Sequence, residues 1–274
     1  MGRFHSHDHP HDGAAHDHGA EHDHDRGAEH DHDPVSTHGD HTGYRTGAQR
    51  IDVLESIFAE NDTRAAINRG LFAQSGVRAL NLMSSPGSGK TTVLAATLDE
   101  LAGELAIGIV EGDIATDLDA AALSGRGAQV SLLNTSNGFG GECHLDAPMV
   151  NRALQQLHLG ELDLVIIENV GNLVCPAEFD VGEHAKAMVY SVTEGEDKPL
   201  KYPVMFRAVD LVLLNKIDLA PYVDADVDSY VERVRAVNPT AVVLPVSART
   251  GAGMGAWFDW VRCFADPSGH HSSL

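Results

Sequence analysis

The octapeptide SSPGSGKT, at residues 84–91, combines glycines, a lysine and a hydroxyl in an order that suits phosphate binding. It follows the apolar run Val77–Met83, which predicts a strand, and it precedes a stretch of helical character. In such a loop the backbone N–H groups surround the phosphates, the lysine reaches the β and γ oxygens, and the last hydroxyl holds Mg²⁺. The strict pattern begins with glycine, whereas this chain has Ser84. The residues assigned to nucleotide binding here are Gly87, Ser88, Gly89, Lys90, Thr91 and Thr92, with Thr91 also on Mg²⁺.

A second group of residues, nearer the C-terminus, predicts recognition of a base. Asn215, Lys216 and Asp218 follow the apolar run DLVLL, so a strand would deliver them at its carboxyl end, where open α/β sheets bind ligands. The tetrapeptide resembles the N-K-x-D motif of GTPases, whose carboxylate accepts hydrogen bonds from the N1–H and the exocyclic amine of guanine. Ser247 and Ala248, which follow the last apolar run, resemble the element that braces the base. We therefore predict binding of GTP and GDP.

Two acids complete this predicted site. Asp113 comes just after the apolar run IGIVEG, and Glu168 ends the run DLVIIENVG. Glu168-x-x-Gly171 stands where typical GTPases have D-x-x-G, so the acid would position Mg²⁺ and the Gly171 amide would sense the γ-phosphate. Each acid alone is also compatible with a capping or loop role. We assign catalytic roles to Lys90, Asp113 and Glu168, place Asp113 on Mg²⁺, and expect slow intrinsic hydrolysis because no glutamine or arginine finger is recognisable.

The three cysteines of the chain suggest a metal site. Cys143 and His144 are adjacent after the glycine-rich GFGG, and Cys175 lies seven residues after Glu168. Thiolate and imidazole ligands suit Zn²⁺ or Ni²⁺, and three of them leave the coordination incomplete. The spacing also fits two buried thiols and a surface histidine. We expect Cys263, in the apolar stretch MGAWFDWVRCF, to be a core residue.

The first 41 residues hold twelve of the seventeen histidines, with ten acids, two arginines and very few large apolar side chains. Such a segment cannot bury enough apolar surface to offset its ordering entropy, so we expect it to be disordered without metal. Its H-x-H pairs differ from a uniform purification tag and would offer Ni²⁺ many weak sites, although a merely solvated charged tail is the alternative. The histidines assigned to nickel are His5, His7, His9, His11, His16, His18, His22, His24, His30 and His32.

Apolar runs that alternate with helical stretches predict an α/β fold, a mostly parallel sheet with helices on both faces. We divide the chain into a tail at residues 1–45, lead-in helices at 46–75, a nucleotide-binding domain at 76–266 and a disordered C-terminus at 267–274. The lead-in segment carries apolar residues at helical spacing, including Ile57, Phe58 and Ile67. The sequence Asn61-Asp62-Thr63 suggests the cap of a second helix there.

The net charge of −21 excludes one class of partner. The tail contributes −8, so the remainder still carries −13, which disfavours a nucleic-acid surface. The chain has no apolar run long enough to span a bilayer and no segment resembling a signal peptide, and its few cysteines argue against a disulfide framework. We expect a cytoplasmic protein that binds neither nucleic acid nor membrane.

The motifs SSPGSGKTT, EGDIATD, ECHLDA, ENVGNLVCP, EGEDKPLKYP and NKIDL together resemble the hydrogenase nickel-incorporation GTPases, the HypB family, over about Asn61 to Phe264. The resemblance implies a P-loop NTPase of the SIMIBI type that dimerises on binding GTP. It further implies loading of nickel into [NiFe]-hydrogenase, with a maturation partner and the hydrogenase large subunit as partners. In that family the residues matching Cys143, His144 and Cys175 bind Zn²⁺ or Ni²⁺ at the dimer interface.

The chain departs from some members of this family at its N-terminus. It has no cysteine before Cys143, so the N-terminal C-x-x-C-G-C nickel site of those members is absent. A histidine-rich extension stands in its place, as in other members, where such an extension is associated with nickel storage.

Two other functions fit parts of the sequence. The urease-accessory GTPases can carry a histidine-rich N-terminus, but they normally show Cys-Pro-His, whereas Cys175-Pro176 is followed by Ala177 here. A nickel-buffering protein with little dependence on GTP would explain the tail but not the intact nucleotide motifs. We also expect nucleotide and nickel occupancy to be coupled through the segment from Glu168 to Cys175.

Overall fold

The computed structural model describes residues 47–112, 123, 125–133, 144–172 and 175–266. The histidine-rich tail, Asp113, Cys143 and the C-terminal residues 267–274 lie outside this set. The expectations placed on them therefore stay predictions.

Within the described residues, seven strands form one parallel sheet in the order β3-β2-β4-β1-β5-β6-β7. The strands are β1 Arg78–Ser84, β2 Ile107–Glu111, β3 Gln129–Leu132, β4 Leu164–Gly171, β5 Ala185–Ser191, β6 Leu211–Asn215 and β7 Val242–Pro245. The inner strands are almost continuously buried, as their apolar runs require when helices cover both faces. The predicted fold class is confirmed, and the sheet is parallel at every described pairing.

Helices occupy the connections between these strands. The α-helices are α1 Gly47–Ser75, α2 Lys90–Leu101, α3 Ala147–Leu154, α4 Cys175–Glu178, α5 Lys198–Lys201, α6 Pro203–Arg207, α7 Val227–Val237 and α8 Met254–Ala265. Short 3₁₀ helices are Leu159–Glu161, Val192–Glu194 and Ile217–Tyr222. No helix in the described part of the chain is long and apolar enough to cross a membrane.

The two faces of the sheet are covered by different helices. Along β1, Leu80 and Leu82 pack with residues of α2 and α8, whereas Ala79 packs with residues of α1 and α3. Trp257 of α8 is fully buried and donates its indole N–H to Thr97 Oγ1 of α2 at 2.8 Å, which fixes one helix on the other. The helices α2 and α8 are thereby joined on one face of the sheet.

The lead-in segment is one continuous helix, so the expectation of two helices with a cap at Asn61 was wrong. Asn61 is buried within α1, donates from Nδ2 to the Asp180 carbonyl at 2.8 Å and accepts from the Ala147 N–H at 2.9 Å. The side chain that suggested a cap instead links the helix to the start of α3 and to the loop before β5. The exposure of Ile57 and Ile67 shows that the buried face follows Asn61, Ala65, Asn68 and Phe72 rather than the apolar residues alone.

Cys263 was expected in the core, and this expectation was also wrong, because its side chain is exposed. The buried stripe of α8 runs through Met254, Trp257, Val261 and Ala265 at helical spacing. Cys263 is two residues past Val261 and therefore points away from the sheet. In a helix that packs on a sheet by one face, residues of an apolar stretch that lie on the other face stay exposed.

Candidate nucleotide and metal site

The phosphate loop lies between β1 and α2, and two of its glycines have backbone conformations that favour glycine. Gly87 has φ +73° and Gly89 has φ +98°. A Cβ at Gly89 would lie 2.6 Å from Asn215 Nδ2, so this position also needs glycine for close approach. Ser84 is the buried last residue of β1 and pairs in register with Gly171 and Val189. Its departure from the strict pattern therefore falls on a strand residue and not on the turn.

Lys90, Thr91 and Glu168 meet at the carboxyl ends of β1 and β4. The Lys90 ammonium donates to the carbonyl oxygen of Asn169 and lies 3.7 Å from Glu168 Oε1. Thr91 Oγ1 donates to the same Glu168 oxygen at 3.0 Å. Lys90 is 4% exposed and Glu168 is fully buried, so these charges interact with little screening by water. The adjacent residues Lys90 and Thr91 thus meet the distant Glu168 at one centre.

The residues present fit Mg²⁺. Glu168 Oε2 is buried without a hydrogen-bond partner among the described residues, which indicates a missing cation or donor. Glu111, also buried, is the register partner of Glu168 on the adjacent strand β2. Oxygen ligands of this kind, next to the Thr91 hydroxyl, are those that Mg²⁺ prefers. Asp113 is outside the described residues, but its neighbour Gly112 donates from its N–H to the Glu168 carbonyl at 3.0 Å.

The base-recognition residues surround a cavity of about 520 Å³ next to the phosphate loop. Its lining residues are Gly89, Thr92, Asn215, Lys216, Asp218, Leu219, Ala248 and Arg249. Asp218 Oδ1 accepts from Ser247 Oγ at 2.7 Å, which orients the carboxylate. The cavity joins the predicted base contacts to the predicted phosphate contacts in one pocket.

The segment at the end of β6, which carries Asn215 and Lys216, is hydrogen-bonded to the phosphate loop. Asn215 donates from Nδ2 to the Ser88 carbonyl at 2.9 Å and accepts at Oδ1 from the Ala248 N–H at 3.0 Å. Lys216 has φ +62°, an uncommon value for a non-glycine residue, and its Nζ donates to the Gly87 carbonyl at 2.5 Å. The Asn215 and Lys216 side chains therefore brace the pocket, while Asp218 faces it.

The predicted metal ligands are only partly within the described residues. The His144 ring stacks on Phe179 with centroids 4.0 Å apart, and Phe179 stacks on Phe58 of α1 at 5.3 Å. Phe179 directly follows α4, which begins at Cys175, so the segments carrying His144 and Cys175 lie against each other. Among the described side chains, no group of three His, Cys, Asp or Glu residues is placed to hold a metal ion. Because Cys143 lies outside that set, the three-ligand site remains a prediction.

Sequence reasoning missed Glu111 and Asn169. Glu111 was hidden within an apolar strand, although an acid at the end of such a run, in IVEGD, was a usable signal. Asn169 is 1% exposed and contacts both Lys90 and the segment after His144, a pairing that no local spacing reveals.

The phosphate loop after β1, the buried acid at the end of β4 and the base pocket after β6 define a P-loop nucleotide-binding protein. The family model for the CobW/HypB/UreG nucleotide-binding domain matches residues 78–245. The hydrogenase maturation factor HypB of Azotobacter chroococcum mcd 1 is 49% identical over 215 residues, covering 78% of this chain and 69% of that protein.

Solved structures agree. That of the hydrogenase maturation factor HypB from Archaeoglobus fulgidus superposes with a TM-score of 0.71 at 37% identity, covering 76% of this chain and all (100%) of that one. The structure of HypB from Helicobacter pylori in complex with nickel superposes with a TM-score of 0.69 at 33% identity, covering 78% of this chain and 100% of that one. The chain belongs to the HypB family.

Proposed function

We propose that this protein is a GTP-hydrolysing nickel metallochaperone that assists nickel insertion into [NiFe]-hydrogenase during maturation. The observation that carries the nucleotide half is the pocket itself, in which Asp218 faces a cavity that is continuous with Gly89 of the phosphate loop. Similarity to hydrogenase maturation factors, one of them solved with nickel, supports the metal half. The proposed place of action is the cytoplasm.

Guanine selection and phosphate binding would use different residues of this pocket. Asp218 accepts from the N1–H and amine of guanine, and the loop N–H groups surround the phosphates. Lys90 would turn from the Asn169 carbonyl to the β and γ oxygens, Thr91 and Asp113 would hold Mg²⁺, and Glu168 would position the ion. The Mg²⁺ ion supplies neutralisation of the charge that develops on the β and γ oxygens. Without an arginine finger, hydrolysis by the isolated chain would proceed at a rate on the order of 10⁻⁴ s⁻¹.

Nickel would be held at two kinds of site. Cys143, His144 and Cys175 form the proposed thiolate–imidazole site, which takes Ni²⁺ or Zn²⁺, and the stacking of His144 on Phe179 supports its assembly. Its incomplete coordination leaves room for a ligand from a second copy or from an acceptor. The tail histidines form the proposed store. The proposed partners are a second copy in a GTP-dependent homodimer, a hydrogenase maturation partner and the hydrogenase large subunit.

Equilibrium nickel binding and GTP turnover on three proteins test this proposal. The proteins are the full chain, a form comprising residues 46–274, and the latter with Cys143→Ser. Removal of the tail should abolish most of the nickel capacity yet leave slow GTP turnover unchanged, because the nucleotide pocket lies within the compact unit 45–274. The Cys143→Ser change should then abolish the remaining tight site, whereas Cys263→Ser, at an exposed position, should not.

Two results would contradict the proposal. If the tail-less protein hydrolysed no GTP, the nucleotide half would be wrong. If it bound no nickel, the metal would belong to the tail alone, as in a buffering protein.

A further inference from the structure

Asn169 lies between the nucleotide centre and the segment that follows His144. Its main-chain carbonyl accepts the hydrogen bond of the Lys90 ammonium, next to Glu168. Its side-chain Oδ1 accepts from the Leu145 N–H at 3.0 Å. Asn169 thus contacts both Lys90, the proposed phosphate-binding lysine, and the backbone amide of Leu145, which directly follows the proposed metal ligands Cys143 and His144.

Leu145 is held from a second direction as well. A Cβ built on Gly112 would lie 2.5 Å from Leu145 Cδ1, so the leucine side chain rests directly on the Gly112 backbone at the end of β2. Gly112 in turn donates from its N–H to the Glu168 carbonyl at 3.0 Å. The backbone next to His144 is therefore tied to both strands whose ends carry the predicted Mg²⁺ residues.

The Asn169 side chain has a fixed orientation. It is 1% exposed, and its Nδ2 donates to Asn81 Oδ1 at 3.3 Å. Asn81 donates in turn to Glu183 Oε1 at 3.3 Å. Because each amide has a defined partner on both its oxygen and its nitrogen, a rotation at Asn169 must break a buried hydrogen bond. Movement of its main chain is therefore transmitted to the Leu145 amide and is not absorbed by a side-chain flip.

Lys90 supplies the two states that coupling requires. Its ammonium now satisfies the Asn169 carbonyl, but a P-loop lysine turns to the β and γ oxygens when they are present. The carbonyl then loses its charged donor, and the energetically preferred orientation of this peptide changes. Such an exchange of partners is a physical two-state element that both sites can bias.

We propose that Asn169 is the positioning residue that couples nucleotide occupancy to the geometry of the proposed Cys143–His144–Cys175 metal site, by holding the Leu145 amide. This inference rests on the proposed function, because it presupposes metal binding at that site. It places the coupling in a side-chain hydrogen bond from β4 to the segment before α3, rather than only in the chain running from Glu168 to Cys175. Asn169 is assigned no contact with nucleotide or metal and would act only through Lys90 and Leu145.

The test uses the full chain in a Cys263→Ser background. The tail contains no cysteine, so thiolate-to-nickel charge-transfer absorption reports only on Cys143 and Cys175. Ni²⁺ is titrated against a competing chelator with GDP and with a non-hydrolysable GTP analogue. The parent should show affinities that differ by about fivefold or more between the two nucleotides. In Asn169→Ala the two affinities should agree within roughly a factor of two, with binding of each nucleotide retained.

Asn68→Ala is the matched control. Asn68 is equally buried and donates to the Ala147 and Val181 carbonyls, so it holds the same region from α1 rather than from β4. It should lose stability but keep the nucleotide dependence of the parent. A parent that binds nickel and both nucleotides without any nucleotide dependence would overturn the coupling itself, and full dependence in Asn169→Ala would overturn the role of Asn169, whereas a parent that bound neither nickel nor GTP would contradict the proposed function.

Hydrogen exchange of the parent provides a measurement that needs no variant. The Leu145 amide should be protected with GDP, and its protection should change when the GTP analogue replaces GDP. An unchanged exchange rate at this amide would overturn the proposal even if Asn169→Ala failed to fold.

Discussion

At the residue scale, the proposed selection of guanine depends on the orientation of one carboxylate. Asp218 follows the αL residue Lys216 at the end of β6, and Ser247 donates to its Oδ1 at 2.7 Å. Asp218 lines the cavity beside Leu219 and Ala248. A carboxylate placed in this way pairs with two donors on one edge of guanine, whereas adenine presents an acceptor at N1.

Asp218→Asn should therefore weaken GTP binding strongly. The amide keeps an oxygen for Ser247 but turns an N–H₂ group toward the two guanine donors. Loss of a charge-assisted hydrogen bond of roughly 1.5–3 kcal/mol predicts a rise of at least about tenfold in the Kd for GTP. Titration calorimetry with GTP and ATP measures the effect. Asp224→Asn, an exposed position with φ +52°, should leave the Kd for GTP unchanged, and equal losses in both variants would refute this role.

At the element scale, β1 is joined to the start of β5 by a histidine as well as by the ladder. The His184 N–H donates to the Ala79 carbonyl at 2.8 Å, and the Ala79 N–H donates to His184 Nδ1 at 3.0 Å. The imidazole must be unprotonated at Nδ1 to accept this bond. Burial lowers the pKa of His184 below its usual value, and the charges of Arg78 and Arg69 lower the pKa further.

A lowered pKa in the folded state has a defined consequence for stability. The unfolded chain binds the proton more readily, so the contribution of His184 is present above its ordinary pKa of about 6.5 and is lost as the pH falls below it. His184→Asn, whose Oδ1 can accept from Ala79 without titrating, should flatten the fall in the free energy of unfolding between about pH 7 and pH 5. Urea denaturation at each pH measures this. His158→Asn, at an exposed position, should keep the pH dependence of the unfolding free energy that the parent shows. If His184→Asn kept that same pH dependence, the prediction would be wrong.

Local patterns predicted the elements that depend on local geometry. The strand before the phosphate loop and the tetrapeptide after β6 are set by apolar runs and turn chemistry, and both lie where expected. The single helix α1 was not predictable, because Asn61 is satisfied by Asp180 and Ala147, residues distant in sequence. The contact between Asn169 and Lys90 could not be predicted for the same reason, because the spacing of residues within one segment gives no information on contacts between distant segments.

At the scale of the whole molecule, self-association must overcome charge. The chain outside residues 1–41 carries −13, so two copies repel each other unless apolar contacts and cations offset the repulsion. Large apolar side chains are exposed at Leu200, Val204, Tyr222 and Val223, and Tyr222 is 84% exposed. The 3₁₀ helix Ile217–Tyr222 carries both Asp218 and Tyr222, so a base bound in the cavity would contact the same short helix that presents this tyrosine. Exposed apolar residues connected to a ligand site in this way are typical of a ligand-dependent interface.

We therefore predict that the proposed GTP-dependent homodimer uses the surface around Tyr222. In sedimentation velocity at tens of micromolar protein, the parent should shift from monomer with GDP to dimer with a non-hydrolysable GTP analogue. Tyr222→Asp should stay monomeric with either nucleotide, because it adds a desolvated charge to an already acidic surface. The affinity of Tyr222→Asp for the analogue should fall only by the part that dimerisation contributes to binding, because the side chain faces solvent and does not line the cavity.

The control is Ile67→Asp, which adds the same charge at an exposed apolar position of α1 and should dimerise as the parent does. Dimerisation of Tyr222→Asp equal to that of Ile67→Asp would exclude this surface, and a parent that stays monomeric with the analogue would exclude the nucleotide-dependent dimer itself.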